Sequence, residues 1–180
     1  MQTLNFTVLS VILIFAAWQD IRHFRIPNLL IFSGVIIGIL LNILLPQNFG
    51  GIGMLASLAG FGVGLAILLP LYLLRALGAG DIKLMAMIGA FVGPADILMI
   101  TVYVILAGGV LALAVVLLQG RLSKLIDNFK LMLLMRLAAS PITSLPTTDT
   151  ISRSAGKLPY GVAIAVGTLF YLVANYNIFS

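Results

Sequence analysis

The 35 residues from Leu84 to Leu118, LMAMIGAFVGPADILMITVYVILAGGVLALAVVLL, are almost unbroken apolar side chain. As one helix rising about 1.5 Å per residue they would reach roughly 50 Å, well beyond a bilayer core of about 30 Å. Gly93-Pro94-Ala95-Asp96 is the natural break, because proline ends helices and Asp96 prefers water. The run therefore divides into a short span over about 77–92 and a longer one over 97–118. Two membrane-grade helices joined by a tight polar turn set the fold class.

The rest of the chain follows the same pattern. It is 62% hydrophobic and 8% charged, where soluble domains carry roughly a quarter charged residues. Further apolar runs cover about 4–19, 29–45, 54–74 and 159–176. A polar hinge, Ile21 to Asn28, follows the first run, and Pro46-Gln47-Asn48 stops the second. Gly60, Gly62 and Gly64 in the third read as close-packing positions. Arg121, Lys124, Asp127 and Lys130 recur at every third position, opposite Leu125, Ile126, Phe129, Met132 and Leu133. That pattern predicts an amphipathic helix over about 121–137 lying on the headgroups. Ser140 to Ser154, rich in Ser, Thr and Pro, reads as a loop. The expectation is an all-α polytopic membrane protein, one domain over 1–180, with six transmembrane helices and one interfacial helix.

Composition also excludes some chemistry. There is no cysteine, hence no disulfide framework and no Cys-built zinc or redox site. His23 is the only histidine, so a multi-His metal centre is excluded, and no cofactor or metal is expected. The net charge of +5 is read as loop asymmetry rather than as nucleic-acid binding. Arg22 and Arg25 follow the first span, Arg75 and Lys83 flank the start of the fourth, and the other six basic residues lie between the fifth and sixth. All fall in alternate loops, which the positive-inside rule makes cytoplasmic, with both termini outside. Met1 to Thr7 has no Lys or Arg, so the start lacks the basic region of a signal peptide.

Immediately ahead of the long run stands Leu77-Gly78-Ala79-Gly80-Asp81-Ile82-Lys83. Glutamate is absent and aspartate occurs only at 20, 81, 96, 127 and 149. A carboxylate set against a membrane-grade run is costly and reads as functional by default. Loop charge puts Asp20 at the same depth as Asp81, both near the cytoplasmic face. The two share a local pattern, Asp-Ile-Arg and Asp-Ile-Lys, in which Arg22 and Lys83 can snorkel to the headgroups while the aspartates face inward. Two facing carboxylates can share one proton, so that one activates water while the other protonates a carbonyl oxygen or leaving amine. Amide hydrolysis then needs no metal, cysteine or histidine. Gly78 and Gly80 would let unwound backbone approach an extended substrate strand.

Other readings stand beside this one. An aspartate just outside a span is often a boundary marker facing water. Asp96, Asp127 and Asp149 read as structural, His23 as a surface residue, and the methionines at 85, 87, 132 and 135 as core or lipid contacts. Two aspartates could also bind a cation or proton in a small coupled transporter, which predicts midplane carboxylates and internal symmetry. A non-catalytic scaffold of a secretion assembly would leave the pair unexplained.

Gly-Ala-Gly-Asp-Ile-Lys resembles the Gly-x-Gly-Asp-x-Lys signature of type IV prepilin peptidases, which are intramembrane aspartyl proteases. Asp20-Ile21-Arg22-His23-Phe24-Arg25-Ile26-Pro27-Asn28 is similar to that family's first-loop element, and Pro159-Tyr160-Gly161 to the Pro-Tyr-Gly that often opens its last span. The three occur in the family's order. Presenilin and signal-peptide peptidases share the Gly-x-Gly-Asp aspartate, but their other aspartate usually follows tyrosine, where Gln19 stands here. The resemblance implies that Asp20 and Asp81 are catalytic. It implies that Gly78, Gly80, Lys83, Arg22, Pro27, Asn28, Pro159, Tyr160 and Gly161 shape the site or touch substrate. The implied partners are the bilayer and prepilin-like proteins with a short basic leader ahead of a hydrophobic helix, cut at the cytoplasmic face of the inner membrane. Without Cys-x-x-Cys motifs or a long first loop, the chain resembles short peptidase-only members, as in Flp/Tad-type pilus systems or the archaeal preflagellin peptidases. Methyltransferase activity is not expected.

Overall fold

The computed structural model describes residues 3–45, 51–74, 77–118 and 160–176, and every regular element among them is a helix. These are α1 (Thr3–His23), α2 (Asn28–Leu44), α3 (Met54–Leu73), α4 (Ala79–Val92), α5 (Pro94–Leu118) and α6 (Tyr160–Tyr176). Within α1, α3 and α5 the segments Leu4–His23, Met54–Leu73 and Pro94–Val115 are long and apolar enough to cross a membrane; α2 and α6 are shorter apolar helices. The chain forms two compact units, Met1–Gly108 with Pro159–Ser180, and Gly109–Leu158. The expected interfacial helix and the 140–154 loop lie outside the described residues.

Helix ends follow backbone breakers rather than polarity. α1 does not stop with its apolar run but continues through Asp20 to His23. It is closed by Phe24, whose φ of +50° turns the chain and whose N–H bonds the Asp20 carbonyl at 2.9 Å. The polar hinge expected from Ile21 is therefore shorter, and Asp20 sits inside a helix. Pro27, in extended conformation, then leads into α2. α5 begins at Pro94 itself, since a proline at the first helical position needs no N–H donor, and Gly93 makes the turn at φ +88°.

α4 is the axis of the bundle. From Leu84 to Val92 every residue is buried, as a helix apolar on all sides requires. Lipid tails are as apolar as leucine, so helices in a bilayer gain by close van der Waals approach. α3 makes that approach at Gly60 and Gly64; a Cβ at Gly64 would lie 2.5 Å from the Met85 carbonyl oxygen. On the α2 side Gly34 and Gly38 receive Met87 and Phe91. Among the described residues nothing lies within 4 Å of where a Gly62 Cβ would stand, so there it is not the packing position the sequence suggested.

Hydrogen bonds near one end fix the helix directions. Asn42, late in α2, accepts from Asn5 Nδ2 of α1 (3.1 Å) and donates to the carbonyls of Ala90 (2.9 Å) and Phe91 (3.1 Å). Ser57 Oγ of α3 also donates to Ala90 O, at 2.5 Å. The cause is local. Ala90 O would take the N–H of residue 94, and Pro94 has none. Side chains of α2 and α3 therefore finish the end of α4. Tyr171 Oη, late in α6, donates to Asp96 Oδ1 in the first turn of α5 at 3.0 Å. Consecutive helices α1 to α4 thus alternate in direction.

Candidate active site

The opposite ends of these helices bring together the sequence motifs. Asp20, one turn before the end of α1, is 6% exposed. Its Oδ2 accepts the Gly161 N–H at 2.8 Å, and the Val162 N–H of the same turn also faces the carboxylate. These N–H groups belong to the first turn of α6, where no intrahelical acceptor exists. Asp20 therefore caps a helix remote in sequence, and α6 supplies hydrogen bonds that the carboxylate loses on leaving water. Glycine is needed at 161 for the approach, because a Cβ there would stand 2.8 Å from Asp20 Oδ2.

Asp81 is the third residue of α4. Its Oδ2 accepts the Gly78 N–H at 3.0 Å, while its own N–H bonds the Gly78 carbonyl at 3.1 Å. This is half of a capping box; Gly78 has no side chain to return the bond. The carboxylate is half-buried, and among the described residues its Oδ1 has no hydrogen-bond partner. Asp81 and Asp20 lie within electrostatic reach of each other, as do Asp81 and the Tyr160 phenol.

The first-loop element docks on the Gly-Ala-Gly-Asp turn. Lys83 Nζ donates to Asn28 Oδ1 at 3.1 Å, so this lysine is engaged with α2 rather than extended to headgroups. A Cβ at Gly80 would meet Ile26 at an ordinary 3.6 Å. Gly80 itself lies in the first turn of α4, and only Gly78 is extended, at φ −80° and ψ 154°. The unwound stretch expected through both glycines is thus confined to the first. Pro27 precedes α2 and is half-buried. Arg22 is not brought to the carboxylates: its guanidinium stacks over Trp18 on the same helix, 4.5 Å from the ring centre. Pro159 lies outside the described residues.

Other residues fall where packing requires. Met85 and Met87 are core, and His23 is exposed. The sequence reading missed Gly108, whose place in α5 receives the Tyr160 ring; a Cβ there would stand 2.7 Å from Tyr160 Oη. The adjacent Gly108-Gly109 pair inside an apolar run was the available signal.

A profile of the type IV leader peptidase family matches residues 7–113, more than half the chain, and includes both aspartates. The chain belongs to the type IV leader peptidase family. Membership makes it a peptidase, and its long apolar helices make it a membrane protein. Neither the comparison with curated proteins nor that with solved structures yields a match. The match ends before α6, so the donors that hold Asp20 come from outside the segment that carries the family.

Proposed function

We propose that this leader peptidase is an intramembrane aspartyl endopeptidase in which Asp20 and Asp81 act as one pair. The observation that carries the reading is their arrangement. Both lie within electrostatic reach of each other, each is anchored through Oδ2 by main-chain N–H groups, and Asp81 keeps an oxygen unengaged among the described residues. One carboxylate holds a proton and the other does not. The ionised one takes a proton from water as the water oxygen bonds to the amide carbon, and the protonated one passes its proton to the carbonyl oxygen. Collapse of the resulting gem-diol breaks the C–N bond. One hydroxyl proton returns to the first donor, and the amine nitrogen receives the proton taken from water. The pair is restored and one water is consumed.

The substrate in this reading is a prepilin-like precursor, cut between a short basic leader and a hydrophobic helix at the cytoplasmic face. Two features support that placement. Arg22 and Lys83, at the aspartate ends of α1 and α4, and Arg25, in the connection that follows α1, are the basic residues the structure describes, and their common side is in line with the positive-inside rule. α4 has only 14 residues, roughly 21 Å, so with six crossing segments it is too short for a bilayer core of about 30 Å. Its first turn then leaves room for water beside Asp81. Both carboxylates lie near helix ends, away from the midplane position a coupled transporter would use.

The test is co-expression of the chain with precursors bearing short basic leaders, following leader removal in wild type, Asp20→Asn and Asp81→Asn. Asparagine keeps the volume but cannot exchange the proton, so each variant should stop cleavage. Full cleavage by either one sinks the two-aspartate mechanism; aspartate-dependent ion flux in liposomes without any cut substrate favours transport instead.

A further inference from the structure

Tyr160 does more than pack. Its ring is half-buried against the core and is located from two sides. At its root, the next residue is pinned by the Gly161 N–H bond to Asp20 Oδ2 at 2.8 Å. At its tip, α5 is hollowed: a Cβ at Gly108 would come within 2.7 Å of Oη, 3.0 Å of Cζ and 3.1 Å of Cε2. A phenylalanine would fill the same core space, yet the seat accommodates a hydroxyl. The tip lies within electrostatic reach of Asp81, and among the described residues it has no hydrogen-bond partner. A tyrosine hydroxyl partly removed from water normally finds one.

The two-aspartate reaction lacks one component. The pair moves protons, but the carbonyl oxygen develops negative charge as water adds, and a fixed neutral donor aimed at that oxygen is worth most in a water-poor site. We infer that the Tyr160 hydroxyl donates a hydrogen bond to the carbonyl oxygen of the scissile amide, stabilising the gem-diol and the path to it. This rests on the aspartyl peptidase reading above. Tyr160 keeps its proton throughout, so the balance of bonds and protons between Asp20, Asp81, water and substrate is unchanged.

The experiment uses the full chain reconstituted in nanodiscs with a reporter substrate, a short Lys/Arg-rich leader joined to an apolar helix. Steady-state cleavage and thermal unfolding are measured for wild type, Asp81→Asn, Tyr160→Phe, Gly108→Ala and the last two combined. Tyr160→Phe should lower kcat about 100-fold with KM and Tm nearly unchanged. Gly108→Ala, which pushes the hydroxyl off its seat, should lower kcat about 10-fold or more, and the double variant should be no slower than Tyr160→Phe, because the same interaction is lost once. Wild-type kcat in Tyr160→Phe overturns the assignment, as does a loss confined to KM or Tm. If cleavage needs Asp81 but not the Tyr160 hydroxyl, only this inference fails. If wild type cuts no reporter and Asp81→Asn changes nothing, the peptidase chemistry fails and this inference with it.

Discussion

The protein has two polar clusters at opposite ends of its first four helices, and they are built on different terms. In the Asn42 cluster, every bond answers a structural need: Asn42 and Ser57 supply the donors that Pro94 withholds from the Ala90 carbonyl, and Asn5 completes the link to α1. In the aspartate cluster, main-chain donors hold one oxygen of each carboxylate, and Asp81 is left with capacity for something outside the described residues. On the proposal that the aspartates are catalytic, the difference separates polar groups that close a bundle from polar groups kept available to substrate. In a bilayer both are costly to maintain, and in the proposed mechanism only the second takes part in chemistry.

The sharpest way to break this contrast is to replace each carboxyl of the pair in turn. Asp20→Asn and Asp81→Asn should each cut leader cleavage by about 10³-fold or more, the range general acid–base catalysis supplies. Far-UV circular dichroism and Tm should stay near wild type, because asparagine can still accept the Gly161 or Gly78 N–H. A large loss of Tm in place of a loss of rate would make the aspartates structural, like Asn42.

Next in size is Gly161→Ala. The added methyl would stand 2.8 Å from Asp20 Oδ2, so the carboxylate must shift by several tenths of an ångström. A displacement of that order is expected to cost about 10- to 100-fold in kcat. Val162→Ala, on the same turn but without the clash, serves as the control and should stay within about two-fold in the same assay.

How much of this was legible beforehand depends on which physical signal carried it. The apolar runs show because membrane solvent leaves a contrast in polarity, and the Gly-Ala-Gly-Asp and Ile-Pro-Asn elements show because aspartate is rare in this chain and because they resemble a known family's signatures. Where α1 ends did not show. Its apolar run stops at Trp18, but the helix continues until Phe24 turns the backbone, so Asp20 is placed by a feature that polarity does not report. Gly80 likewise reads as a candidate for unwinding, yet it lies within the first turn of α4, beside Ile26. The capping of α6 by Asp20 and the seat of Tyr160 at Gly108 join parts of the chain far apart in sequence, and no local pattern announces them.

The closed cluster should respond in the opposite sense to the aspartates. Asn42→Leu keeps the branched shape and heavy-atom count but removes a donor from Ala90 O and the donor to Phe91 O. Buried interhelical polar contacts in membranes contribute about 1–2 kcal/mol, so Tm in detergent should fall while cleavage per folded molecule stays near wild type. An Asn42→Leu enzyme with full Tm but reduced kcat would join the two ends functionally and dissolve the distinction.

The smallest expected effect tests the border of the aspartate cluster. Lys83 and Asn28 form a single exposed hydrogen bond between the two motifs, and solvent competition and side-chain entropy reduce such an exposed bond to about 1 kcal/mol. Lys83→Met and Asn28→Ala should therefore each slow cleavage by no more than about five-fold, through a looser first turn of α4 carrying Asp81. Because each variant breaks the same bond, the double variant should be no slower than the single ones. Asn28→Asp, which keeps an acceptor for the lysine, should restore the wild-type rate. Additive losses, or failure of Asn28→Asp to recover activity, would mean that the two side chains act separately, for instance each on substrate. The docking of the first-loop element on the Gly-Ala-Gly-Asp turn would then be incidental to catalysis.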